Sequence, residues 1–208
     1  MKRMTVLCAL IAVLGLGCSD STEPDPPPTT TTSSAPPASI TYDSRAEFVS
    51  ATGGRLVGAI PMRASGVEFT IGSLAFVNEP PSSVNTTRNW STLIGESFDL
   101  AINGIESFNI NSSAALFAIG FDVHEPSDPS PGFPNTCGGT CTDSTFRVTL
   151  LNGSTIVAVH DFSPPNDTLA FIGIWTRDPF NRIEVRETTG TGDNEFFGNF
   201  TTGLNGIT

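Results

Sequence analysis

The chain has 208 residues, of which ten are basic and 21 acidic, with 38% hydrophobic and 15% charged residues overall. Its single lysine is Lys2, and from position 19 onward eight arginines face all 21 acids, a formal charge of −13. A chain without clustered Lys and Arg cannot neutralise phosphates, which argues against nucleic acid as a partner and against docking on anionic lipid.

Lys2 and Arg3 precede an apolar run at residues 4–17, fourteen residues in all. A spanning helix needs about 20, so the run is too short to cross a bilayer. A basic start, a short apolar stretch and small residues before a break mark a cleaved export signal. The run ends LGLGC, which resembles a bacterial lipobox: residues 1–17 form the lipoprotein signal peptide and Cys18 becomes the lipidated N-terminal residue. The sequence departs from that motif at Gly15, where a branched aliphatic is usual. Ordinary secretion with Cys18 as a free thiol is the alternative. Residues 18–39 continue as SDSTEPDPPPTTTTSSAPPAS after the cysteine, with nothing apolar larger than alanine. Such a segment cannot bury enough surface to offset its ordering entropy, and its prolines favour an extended, semi-stiff tether. Ser19 after the cysteine favours the outer over the inner membrane of a bacterial cell envelope, by the sorting rule of some Gram-negative lipoproteins.

Residues 40–208 are of single-domain length, enough to bury about 70% of the unfolded surface. Ser44 with Glu47 three positions on is a capping box, and Gly53-Gly54 is a stop, which predicts a helix of about two turns. Everything after it reads as strands. Phe98, Leu100 and Ile102 alternate with polar neighbours, as do Phe108 and Ile110, and Asn103-Gly104 between them predicts a hairpin turn. LFAIGFDV at residues 116–123 is an apolar run expected centrally in a sheet, and FRVTLLNGSTIVAVHDF predicts a second hairpin with Asn152-Gly153 at its turn. LAFIGIW, RIEVRE and a closing GDNEFFGNF follow. Fifteen Phe with 20 Gly and 16 Pro suit short strands and tight turns, so the expected fold is an all-β antiparallel jelly-roll-like sandwich with one short N-terminal helix.

Once Cys8 leaves with the signal and Cys18 takes lipid, Cys137 and Cys141 remain, in FPNTCGGTCTDS. In an exported protein such a pair reads first as a disulfide, a small ring worth ~2 kcal/mol by the chain-entropy estimate. The alternatives are a zinc site, which would need two more Cys or His ligands where the histidines are His124 and His160 alone, and a redox dithiol, whose cysteines are usually spaced by two residues. The surrounding stretch, HEPSDPSPGFPNTCGGTCTDS, is a long insertion between strands.

The order ITYDSRAEFVSA, LFAIGFDV, FRVTLLNGS, AFIGIW with DPFNRIEV, and GDNEFFGNF resembles the secreted β-sandwich domains of PEP-CTERM-associated, choice-of-anchor type. Those domains are similar to galactose-binding-like jelly rolls. That family's sorting tail is not found in NFTTGLNGIT, and the lipid on Cys18 is expected to replace it. The family's closing motif places an aliphatic residue before Asp-Asn, whereas Gly192 stands before Asp193 and Asn194 here. The resemblance implies Asp193 as ligand of a structural calcium; the alternative is that it caps the last turn.

Further candidates come from the residues. His124 beside Asp122 and Glu125, and His160 beside Asp161, would form an acid–base pair if their strand ends met. GFDVHEPSD, with acids at 122, 125 and 128, would suit a calcium loop or simply a solvated strand end. There is no GxSxG, no HExxH and no phosphate loop. Trp90, in NTTRNWSTL, has no apolar pattern around it and is the candidate sugar-stacking ring; Trp175 is expected in the core or stacked on Arg177. The expectation is therefore a cell-envelope lipoprotein presenting a non-catalytic binding or matrix-associated sandwich, its partners the membrane through the lipid and a glycan or envelope polymer. A carbohydrate-binding module using Trp90 and a small hydrolase using His124 and His160 are the alternatives.

Overall fold

In the computed structural model the described residues are 38–87, 98–103, 105–125, 142–165, 168–190 and 195–204. The chain divides into Met1–Ala35 and Pro36–Thr208, and every described residue belongs to the second unit. Its elements are β1 (Ser39–Tyr42), α1 (Arg45–Thr52), β2 (Arg55–Leu56), β3 (Phe69–Ile71), β4 (Leu74–Asn78), β5 (Ser83–Thr87), β6 (Asp99–Asn103), β7 (Phe108–His124), β8 (Thr145–Asn152), β9 (Thr155–Phe162), β10 (Leu169–Thr189) and β11 (Phe196–Gly203). Every strand pairing is antiparallel.

Helix α1 forms where its punctuation demands. The Ser44 side chain accepts the Glu47 N–H at 3.4 Å, and Gly53 closes the last turn at φ 63, a left-handed conformation that a Cβ would penalise.

Two long strands organise the rest. β7 and β10 pair along most of their lengths, Val185 to Phe108 at one end and Leu169 to His124 at the other. Midway, between Trp175 and Arg182, the register shifts twice, and such bulges bend the strands. On one side of the bend the order is β3-β4-β7-β10-β8-β9, and on the other β5-β6-β11-β7-β10-β1, with β2 also on β11. The ladder thereby folds back on itself into two sheets that share β7 and β10. Rings from strands that are not neighbours in the ladder meet between the layers: Phe76 with Phe200 at 4.8 Å, Phe146 with Phe197 at 5.5 Å. The fold is the antiparallel jelly-roll-like sandwich with one short helix that the strand pattern predicts, and its core is dominated by phenylalanine.

Two turn expectations meet different outcomes. β8 and β9 form the predicted hairpin, but its two turn residues are Gly153 and Ser154, because Asn152 still pairs with Thr155. No hairpin joins β6 to β7. β6 pairs with β5 and β11, while β7 begins beside β4 and β10, so the two strands are not partners, and Gly104 of the expected turn lies outside the described residues. An Asn-Gly pair permits a tight turn but cannot choose which strand the next segment joins.

A second, smaller apolar cluster lies under α1, on the outward face of the second sheet: Phe48, Ala118 and Trp175, flanked by Ile40, Tyr42, Phe117 and Phe171. Trp175 packs there, as expected of a core ring. Gly120 and Gly173 face each other across β7 and β10, and a Cβ on either would stand 2.6 Å from a Phe171 or Phe48 ring atom. The paired glycines make the floor on which these rings lie. Gly173→Ala should therefore destabilise by about 1–3 kcal/mol through overpacking, read as a lower urea midpoint with unchanged slope.

Candidate functional site

Strand alternation sends one set of side chains inward and the other outward, and on the first sheet the outward set is polar along β7 and β10 and mixed with apolar residues toward β4, β8 and β9. Phe108 and Ile110 of β7 belong to the core while Asn109 and Asn111 alternate with them; Ile183 and Val185 of β10 alternate with Arg182, Glu184 and Arg186. The register aligns these positions across strands. One row runs Val77, Asn109, Glu184, Thr149, Val159, and the next Ala75, Asn111, Arg182, Leu151, Ile156. Arg186 stands opposite Arg147, and Arg147 opposite Asp161.

Charges on this face are matched locally. Arg147 grips Asp161 with two bonds, Nε–Oδ1 at 2.7 Å and Nη2–Oδ2 at 2.9 Å. That pair is about half exposed, so its contribution to stability is small, but it draws the Asp161 carboxyl below its ordinary range through the Arg147 hydrogen bond. Arg186 donates to Asn109 Oδ1 at 2.7 Å and lies 3.2 Å from Glu79 and 3.5 Å from Glu184; Arg182 lies 2.6 Å from Glu184. Three arginines and three carboxylates thus make a neutral, planar-polar face on a strongly acidic chain, and Asn111, Arg147 and Asp161 on it are exposed. Sequence alternation marks each of these residues as outward, but only the register puts them on one surface.

A different polar cluster sits beneath α1. Arg45 bonds Asp122 at 2.7 Å, donates to the Asn199 carbonyl at 3.0 Å and to Thr201 Oγ1, and lies 4.6 Å over the Phe171 ring. The Asn199 amide donates to Asp122 Oδ2 at 2.8 Å from a backbone at φ 47, one of the few left-handed positions Asn tolerates. An open groove of about 430 Å³ lies beside it, lined by Arg45, Val49, Gly54, Leu56, Asn199 and Thr201. Asp122 is therefore an ion-pair partner holding helix to sheet, on the helix side of β7, and not an acid at the tip of a loop. Glu125 is fully buried and accepts the Ser144 backbone N–H, and Ser144 in turn donates to Glu187 at 3.2 Å. Asp128 lies outside the described residues. Among the described residues no group of three or more His, Cys, Asp or Glu is placed to hold a metal ion.

The two histidines are not brought together. His124 ends β7 in the second sheet, between Leu169 and Phe196, two positions from Asp122 and so on the outward side of its strand. His160 lies in β9 at the edge of the first sheet, opposite the core residue Val148. Burial holds the His160 imidazole below its ordinary value of 6.5, with nearby Asp161 pulling partly the other way. The unfolded chain therefore binds a proton that the folded chain resists, so the stability tied to His160 is intact above pH 6.5 and declines as pH falls below it. Urea midpoints at about pH 7.5 and about pH 5 should show that decline, and His160→Gln should reduce it.

Cys18, Trp90, Cys137, Cys141 and Asp193, the other candidates from the sequence, lie outside the described residues. Among the described residues no helix is long and apolar enough to cross a membrane.

No family model and no curated protein matches the chain. Among solved structures it is similar to a cyclase from Fischerella sp. TAU, at 15% identity and a TM-score of 0.41 over 84% of this chain and 88% of that one. It is similar also to a xylan-binding domain of carbohydrate-binding module family 22, at 10% identity and TM-score 0.39 over 71% and 97% of the two chains. A family 11 carbohydrate-binding module from Clostridium thermocellum aligns at 8% identity and TM-score 0.37 over 70% and 98%.

Proposed function

We propose that this chain is a bacterial cell-envelope lipoprotein, anchored through lipid on Cys18, whose sandwich is a non-catalytic module that holds a hydroxyl-rich envelope or matrix polymer along the outward face of the first sheet. The observation that carries the reading is that face itself: five strands wide, with Asn111, Arg147 and Asp161 exposed on it and Arg182 and Glu184 half-buried among them, their planar donors and acceptors set in register across the strands. Amides, guanidinium groups and carboxylates pair well with neighbouring hydroxyls, and the local neutrality of the face favours an uncharged polymer over a polyanion. Aromatic stacking is not its basis, because the strongly exposed large apolar side chains among the described residues are all aliphatic or methionine. Trp90 remains the candidate ring for stacking, and Asp193 the candidate calcium ligand.

Affinity electrophoresis of the tethered domain through neutral polysaccharides, and co-sedimentation with peptidoglycan, test the reading with calcium and then with a chelator. Retention should fall about tenfold in Asn111→Ala and Arg182→Ala, the loss expected when a hydrogen bond to a charged or amide group goes. A wild-type chain retained by none of these polymers, or variants retained like wild type, would remove the face from the function. Intact mass of membrane-extracted protein, with Cys18→Ser as control, tests the anchor separately.

A further inference from the structure

The β8–β9 turn carries an unassigned chemical feature. Asn152 is exposed, immediately precedes Gly153, and ends β8 in register with Thr155. An asparagine followed by glycine is open to attack on its own side chain, because glycine places no Cβ in the way of its backbone nitrogen. The Gly153 nitrogen is not free, however. Its N–H donates to the Asn181 side-chain oxygen at 3.0 Å, from the bend of β10 one position before Arg182, which pairs with Leu151.

We propose that Asn152 is a site of spontaneous deamidation and that Asn181 sets its rate. In the reaction the Gly153 nitrogen gives its proton to solvent base and attacks Cγ of Asn152. A C–N bond forms, the bond from Cγ to the side-chain nitrogen breaks, and that nitrogen takes up a proton and leaves as ammonia. Water then opens the succinimide at either carbonyl, giving aspartate or isoaspartate. The first step needs an ionised nitrogen, and a nitrogen whose proton is held by an amide oxygen is a poorer acid. Asn181 is thus a positioning residue for this chemistry, acting through the turn. The product adds a negative charge to a cavity of about 320 Å³ that Asn152 lines together with Asp178, and the isoaspartate form lengthens the backbone of the turn as well. The chain thereby carries an age-dependent mark on an exposed hairpin.

The test is incubation of the full chain at mildly alkaline pH, at a temperature where circular dichroism shows the fold intact, followed by peptide mapping for the Asn152 mass change and enzymatic methylation of isoaspartate. Asn181→Ala should deamidate at Asn152 about fivefold faster than wild type, the factor one net hydrogen bond supplies. Asn181→Asp keeps an acceptor oxygen and should stay near the wild-type rate. Asn152 in urea-unfolded wild type should react faster than in the native chain, and Asn152→Gln should abolish the signal from this peptide. Equal rates in wild type and Asn181→Ala, or an Asn181→Asp variant as fast as Asn181→Ala, would overturn the role of Asn181. An Asn152 that stays unchanged in Asn181→Ala while the unfolded chain reacts would overturn the site itself.

Discussion

Replacing Phe197 with alanine will lower the stability of the folded chain by about 3–5 kcal/mol, the range for deleting a large ring from a packed core. Phe197 is fully buried on β11, and among the described residues its ring meets those of Phe108 at 5.1 Å, Phe146 at 5.5 Å and Phe121 at 6.1 Å. Phe108 and Phe146 come from strands of the first sheet, Phe121 and Phe197 from the second, so this ring fastens one layer to the other. Its removal leaves a cavity that these rings cannot close together, because Phe108 and Phe121 are fixed at opposite ends of β7 and Phe146 is held on β8. For a domain of this size each kcal/mol corresponds to a melting shift of about 2–4 °C, so calorimetry should find a drop of about 6–20 °C. Phe197→Leu, which keeps most of the volume, should cost clearly less. A drop of only one or two degrees in the alanine variant would mean that the layers do not depend on this contact.

Asp122→Ala is expected to cost about 2 kcal/mol, though no apolar contact is lost. The Asp122 side chain is 8% exposed and accepts from both Arg45 and the Asn199 amide, so its removal strands two donors beneath the helix. The cost stays at the low end for a paired charge because the Arg45 side chain is 32% exposed and water can reach it. A double-mutant cycle with Arg45→Met separates the ion pair from packing: the two changes should be non-additive by more than 0.5 kcal/mol. Additive effects would show that Asp122 acts alone. The same variant should leave polymer retention on the opposite sheet unchanged, which separates this clasp from the proposed binding face.

These two sites differ in how far the sequence announces them. Phe197 stands in GDNEFFGNF, which reads as the closing strand, and a phenylalanine-rich chain with few other aromatics already points to buried rings. Asp122 reads from the sequence as one of three acids spaced toward a loop, yet it is Arg45, 77 positions earlier, that claims it. The capping box at Ser44 and the hairpin of β8 and β9 are legible because their determinants lie within a few residues. The expected hairpin at Asn103 fails for the converse reason, since its supposed partner strand finds β4 and β10 more extensive neighbours. The polar face escapes any reading along the chain: Asn109, Arg182 and Arg147 each alternate with core residues, but nothing local says that they share a surface.

By itself, then, the sequence determined the all-β class, the single capped helix, the aromatic core and the positions that face outward, all of which follow from periods of two or four residues and from turn chemistry. The tertiary structure alone decided that β7 and β10 run through both sheets, that Gly120 and Gly173 meet beneath Phe48 and Phe171, and that Arg45 holds Asp122. Those outcomes depend on register between strands far apart in the chain. A shift of one residue there turns every side chain to the other face, and no local pattern carries that information.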